Sequence, residues 1–258
     1  MLSQILSGDK DSLIFLLLSI PTILFSLSFH EASHGFIANK MGDPTAKNLG
    51  RITLNPIKHL DLMGALCMLV FGYGWAKPVP IVTRNFDNPR KGMAITGIAG
   101  PVSNFILGVI SCIFYVISQT VYRLIYNARL DAFISGASDL GTLNFSEFEM
   151  NIAGETLLMI TGIFINFFFI GAILNFGLMV FNLIPVPPFD GSRFFYYFLP
   201  SKWYFKVMQY ENKIMLIVLI GFFALSRVGL SPVSNASSWL FTSITDPLMK
   251  LSENLFFS

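Results

Sequence analysis

Three apolar blocks, each long enough to cross a bilayer, limit what this chain can fold into. They cover residues 13–38, 93–122 and 156–184. A helix needs about 20 apolar residues to cross the hydrocarbon layer. A fourth block, 214–230, reaches that length only if it continues past Leu225 to Leu230. Backbone polar groups in lipid must be satisfied within the segment, so the spans are expected to be helices and the fold class all-α polytopic. Composition agrees. The chain is 53% hydrophobic and 12% charged, with a mean hydropathy of +0.64, where a soluble domain is about a quarter charged. A soluble enzyme and a disordered chain are both excluded. The net charge of +2 gives no footprint for nucleic acid, so none is expected as a partner.

The distribution of lysine and arginine sets the expected direction of the chain. Lys40, Lys47, Arg51, Lys58, Lys77, Arg84, Arg90 and Lys91 lie between the first two spans, and Arg193, Lys202, Lys206 and Lys213 follow the third. Residues 40–91 and 191–213 are therefore expected in the cytoplasm. The N-terminus, the acidic 127–155 loop and the C-terminus are expected on the other side. A short block at 62–74, with Gly64, Ala65, Gly72 and Gly74, is too short to cross and reads as a re-entrant or interfacial hairpin. Leu240, Ile244, Leu248, Leu251 and Leu255 recur at helical spacing, which predicts an interfacial amphipathic helix over about 238–256. Cys67 and Cys112 both lie in apolar stretches and read as buried thiols. Asp9, Lys10 and Asp11 precede the first span where a signal peptide would carry a basic region, so no cleavable leader is expected. The whole chain, 1–258, reads as one membrane-embedded domain.

The first span carries His30-Glu31-Ala32-Ser33-His34. Side chains four apart share a helix face, so both imidazoles can meet one ion, and imidazole nitrogen suits zinc. Glu31 lies beside that face, where a carboxylate can take a proton from an attacking water. On a solvated helix this pattern arises readily by chance. In a membrane helix, ionisable groups are costly and mark function. Two histidines need a third ligand. Asp190, at the end of Asn182-Leu183-Ile184-Pro185-Val186-Pro187-Pro188-Phe189-Asp190-Gly191, is the best placed carboxylate, although Asp-Gly there also reads as a turn or a helix N-cap. His59 and Asp61 read as interfacial residues. Asn104 follows Gly97 and Gly100 in the second span. It can either bridge helices or, like Asn182, donate to an oxyanion.

Together these residues resemble the site-2 protease family of intramembrane zinc metalloproteases (peptidase M50-like), in its short branch without a PDZ domain. His30–His34 resembles the family's zinc helix, and Asn182–Gly191 its N-x-x-P-x-x-x-x-D-G motif. Gly100-Pro101-Val102-Ser103-Asn104 resembles its G-P-x-x-N pattern. Residues 51–64 and 74–80 resemble its cytosolic hairpin region. The resemblance implies a six-segment helical core with a small re-entrant or β-hairpin element on the cytoplasmic side. It implies one zinc per chain on His30, His34 and Asp190, with Glu31 as the base. Asn104 and Asn182 are then expected at the substrate or oxyanion. The implied reaction is cleavage of peptide bonds within or next to membrane-spanning segments. Expected partners are a membrane protein or peptide substrate, the lipid bilayer and a regulatory membrane protein. The expected location is a bacterial cell membrane, with the active site nearer its cytoplasmic face. Residues 51–54 and 79–82 are candidate strands that could hold an unwound substrate by β-addition. An ion or solute transporter and a silent adaptor compete with this reading. The absence of an inverted repeat disfavours the first, and the intact Glu31 disfavours the second.

Overall fold

The computed structural model describes residues 10–64, 76–136, 145–227 and 232–257. The architecture is helical: α1 (Lys10–Lys40), the short α2 (Thr45–Asn48), α3 (Pro89–Gly136), α4 (Phe145–Asn182), α5 (Asp190–Tyr197), α6 (Ser201–Gln209), α7 (Glu211–Arg227) and α8 (Pro232–Phe256), with 3-10 turns at Pro56–Lys58 and Thr83–Asn85. Among the described residues, three helices are long and apolar enough to cross a membrane: Ser12–Lys40, Pro89–Leu130 and Gly154–Asn182.

Local chemistry sets the helix ends. α3 opens on Asn88-Pro89, where the Asn88 side chain accepts the Lys91 N–H at 3.1 Å and proline occupies the first helical position. Within α1 the hydroxyls of Ser19, Thr22, Ser28 and Ser33 each donate to the carbonyl four residues back. This keeps them satisfied in an apolar setting. α4 ends at Asn182, just before the proline-rich stretch 185–188, which cannot continue the hydrogen-bond ladder.

α3 is the central element. It packs on α1, α4, α5 and α8, and α1 and α8 also touch α4. Cys112, Ala172, Phe176 and Phe241 form a buried cluster where α3, α4 and α8 meet. The Phe241 ring meets Tyr115 and Phe169 edge-on, at 5.1 and 5.2 Å. α8 packs on the bundle through Ser237, Phe241, Thr245 and Ser252, which are buried, while Leu251 and Leu255 of the leucine stripe are exposed. Small and hydroxyl side chains allow closer helix approach than leucines do.

The fourth apolar block forms α7, whose 17 residues rise about 25 Å. Residues 65–74 of the expected re-entrant hairpin, with Cys67, lie outside the described residues. On either side of them, Leu60 and Ala76 form one isolated antiparallel bridge. Among the described residues there is no strand, and the two candidate strands at 51–54 and 79–82 are not formed. The reason is local. Pro78 and Pro80 have no N–H to give to a ladder. Arg51 instead reaches across through its side chain, donating to the carbonyls of Lys77 (2.7 Å) and Pro78 (3.3 Å).

Candidate metal centre

His30 and His34 stand one turn apart on α1 and are almost fully buried. Asp190 is the first residue of α5, immediately after the broken stretch that follows the third span. One ligand atom from each lies within 4.8 Å of the other two. Nε2 of His30 is 3.0 Å from Asp190 Oδ2, Nε2 of His34 is 3.2 Å from the same oxygen, and the two Nε2 atoms are 3.0 Å apart. The three side chains singled out in the sequence are thus brought together from two distant parts of the chain, one helical turn of α1 and the start of α5.

Hydrogen bonds fix the tautomers. Asn175 Nδ2 donates to the Gly171 carbonyl (2.8 Å) and to Ser26 Oγ (2.9 Å), so its Oδ1 faces Asn104. Asn104 Nδ2 donates to that oxygen at 2.8 Å. Asn104 Oδ1 is then left to accept from His30 Nδ1, at 2.5 Å. His34 Nδ1 donates to the Thr96 carbonyl at 2.7 Å. Each ring therefore carries its proton on Nδ1, and each Nε2 presents a lone pair. With Nδ1 of each ring engaged elsewhere, the two Nε2 atoms and a carboxylate oxygen converge as a donor set that a cation can accept. Ligands on a tetrahedral zinc sit about 3.3 Å from one another, close to the separations here. The donor types, the spacing and the outer hydrogen bonds all fit zinc.

Backbone proximity makes this possible. A Cβ at Gly100 would fall 2.6 Å from His30 Nε2, so only glycine lets α3 pass beneath both imidazoles. A Cβ at Gly97 would fall 2.9 Å from the Asp190 carbonyl, so α5 also rests on bare backbone. α5 is clamped at its far end. Arg90 Nη2 donates to the carbonyls of Leu199 (2.5 Å), Tyr196 (3.3 Å) and Tyr197 (3.4 Å), placing a cation at the helix C-terminus. Arg193 of α5 pairs with Glu211 of α7 at 2.7 Å. The Asp190 side chain is 29% exposed against 5% for His30, so the trio opens to its surroundings on the Asp190 side.

The remaining candidates fall elsewhere. Glu31 Oε2 accepts the backbone N–H of Val79 at 2.8 Å. The Asn104 amide is engaged at both ends, by His30 and by Asn175. This matches helix bridging, the other role its position suggested. Asn182 Nδ2 donates one turn back, to the Leu178 carbonyl. His59 is buried and meets the Thr53 carbonyl at 2.9 Å, while Asp61 accepts the Gly64 N–H at 2.8 Å. Neither joins the trio. Asn175, Thr96 and Ser26 were not anticipated. A polar amide in the apolar run Gly171-Ala172-Ile173-Leu174-Asn175-Phe176 was the available signal for the first.

Asp43, in the turn between α1 and α2, fastens residues 82–85 to the start of α2. Its carboxylate accepts from the Thr45 N–H (3.1 Å) and hydroxyl (2.5 Å), the Val82 N–H (2.7 Å) and the Asn85 amide (2.8 Å). Burial alone would push its pKa up, but these hydrogen bonds outweigh it and hold the carboxyl below the usual carboxylate value.

Comparison with known proteins agrees with the geometry. The model of peptidase family M50 matches residues 18–225. The chain is 36% identical over 235 residues to a protein named "Putative zinc metalloprotease YwhC" from Bacillus subtilis (strain 168), covering 89% of this chain and 93% of the relative. It is 28% identical over 141 residues to "Putative zinc metalloprotease Rip2" from Mycolicibacterium smegmatis (strain ATCC 700084 / mc(2)155), covering 53% and 51% respectively. No solved structure gives a significant match.

Proposed function

Since the chain belongs to peptidase family M50 and is a metalloprotease, we propose that it is a zinc-dependent endopeptidase cutting peptide bonds within or next to the membrane-spanning segments of other membrane proteins. The observation that carries this reading is the convergence of Asp190, at the start of α5, with His30 and His34 on a buried face of the apolar α1. Zinc held by these three side chains would supply Lewis acidity and an acidified water. Glu31 takes a proton from the attacking water and returns it to the leaving amine. Asn104 and the Thr96 carbonyl keep the two imidazoles in the ligating tautomer. The exposed flank of Asp190 supports approach of water and substrate from that side. The excess of lysine and arginine in residues 40–91 supports a cytoplasmic position for it, in a multi-pass bacterial membrane protein. A substrate helix must unwind before its peptide bonds can be reached. Asn182, at the end of α4, is proposed to contact that unwound backbone.

The test is zinc per chain in detergent-purified protein, with cleavage of a reporter peptide bearing one apolar helix. About one zinc in wild type, lost in His34→Ala and in Asp190→Ala together with cleavage, is expected. Zinc retained in Asp190→Ala would remove that ligand from the set. Flux of a metal or protons in proteoliposomes without cleavage would favour a transporter instead.

A further inference from the structure

We propose that the backbone N–H of Val79 is a positioning group for Glu31, and that residues 76–82 form a fixed strap whose task is to present it. The proposal rests on the hydrolase reading above and concerns how its base is aimed. Glu31 has three rotatable side-chain bonds and no side-chain partner among its described hydrogen bonds. What holds it is an N–H 48 residues away, at 2.8 Å. A hydrogen bond from a neutral N–H to a carboxylate is short and directional.

The strap isolates that donor between two residues that have none. Pro78 and Pro80 flank Val79 and have no N–H. Residues before proline favour extended backbone, so Lys77 and Val79 are both pushed away from helix. The Val79 N–H therefore has no competing register to slip into. Its side chain is 6% exposed and lies over bare backbone on α1: a Cβ at Gly35 would come within 3.3 Å of Val79 Cγ1.

Three further anchors fix the strap, and none of them touches the metal trio. The Lys77 N–H donates to the His59 carbonyl at 2.8 Å. Arg51 donates to the Lys77 carbonyl at 2.7 Å. The Val82 N–H donates to Asp43 at 2.7 Å. A segment held on both sides of Val79 cannot swing away as substrate arrives, so the contact aligns the base and is not a latch to be released.

The experiment deletes only the donor. The α-hydroxy analogue of valine is incorporated at position 79 of the full chain, turning the 78–79 amide into an ester with the side chain kept. Val79→Pro serves as the encoded counterpart. Cleavage of a reporter peptide with one apolar helix gives kcat and KM, and metal analysis gives zinc per chain. The expected result is a kcat about 10–100-fold lower, with KM within about twofold and zinc unchanged at one per chain. In a Glu31→Asp background, where the shorter side chain no longer reaches the strap, the ester is expected to have no further effect. An unchanged kcat, a raised kcat, loss of zinc, or an equal drop in the Glu31→Asp background would each overturn the proposal. Wild-type protein that binds zinc yet cleaves no membrane peptide would remove the hydrolase reading and this inference with it.

Discussion

Asn104 accepts the Nδ1 proton of His30 across the first two spans, at 2.5 Å, and its own amide is held by Asn175 of the third. One amide thus sets the lone pair of a metal ligand and ties three helices together. Losing it frees the His30 ring to rotate and to change tautomer. Asn104→Ala is expected to weaken zinc binding about 10–100-fold, measured by competition with a chromogenic chelator. Asn175→Ala should move affinity in the same direction. Unaltered affinity with collapsed turnover would return Asn104 to an oxyanion role.

Gly100→Ala should be more damaging than its single methyl suggests. That methyl would sit 2.6 Å from His30 Nε2, and the helix backbone beneath it cannot retreat. Zinc content near zero, with helical circular dichroism preserved, is the expected outcome. A variant that binds zinc normally would mean that α1 and α3 separate more easily than their packing implies.

Glu31→Gln keeps the shape of the side chain and an oxygen for the Val79 N–H, but removes the base. Zinc should stay at one per chain while cleavage falls about 10²–10⁴-fold. Stripping zinc from wild type with a chelator should abolish cleavage, and adding it back should restore cleavage. Zinc should restore nothing in the Glu31→Gln protein.

Asp43 makes stability depend on acid. Its folded pKa is depressed below the usual value of about 4 by the hydrogen bonds it accepts. Its contribution is therefore complete above about pH 4 and is lost as pH falls through the lower folded value. Asp43→Asn leaves a buried N–H or amide without an acceptor, at a cost of about 1–3 kcal/mol near neutral pH. Thermal unfolding in detergent from pH 6 down to pH 3 should show the gap between wild type and variant narrowing with acid. A constant gap would mean that the carboxylate charge contributes nothing.

The two halves of the His30, His34 and Asp190 cluster were legible in the sequence because each obeys a local rule. Two histidines four apart must share a helix face, and a proline-broken stretch places an aspartate at the start of the next helix. The three long spans follow from length and apolarity alone. Helix bridging by Asn104 was legible, but its contact with His30 was not, because the direction of its amide is decided by the Gly171 carbonyl acting through Asn175. Residues 79–82 looked like a strand by composition, yet alternate prolines withhold the donors a ladder needs. The leucine periodicity in α8 marked a helix but not its packed side. That side is centred on the neighbouring row of Ser237, Phe241, Thr245 and Ser252, with Leu240 and Ile244 of the stripe packed beside Phe241.

Phe241 has a bearing on the order in which this protein can be made. His30, His34 and Asp190 all lie at or before residue 190, so a growing chain holds the whole trio well before α8 exists. Until α8 emerges, the Phe169 and Phe176 patch on α4 has nothing from that helix to cover it. Synthesis proceeds from the N-terminus. The His30, His34 and Asp190 trio can therefore be assembled first, and the aromatic core is sealed only once α8 follows.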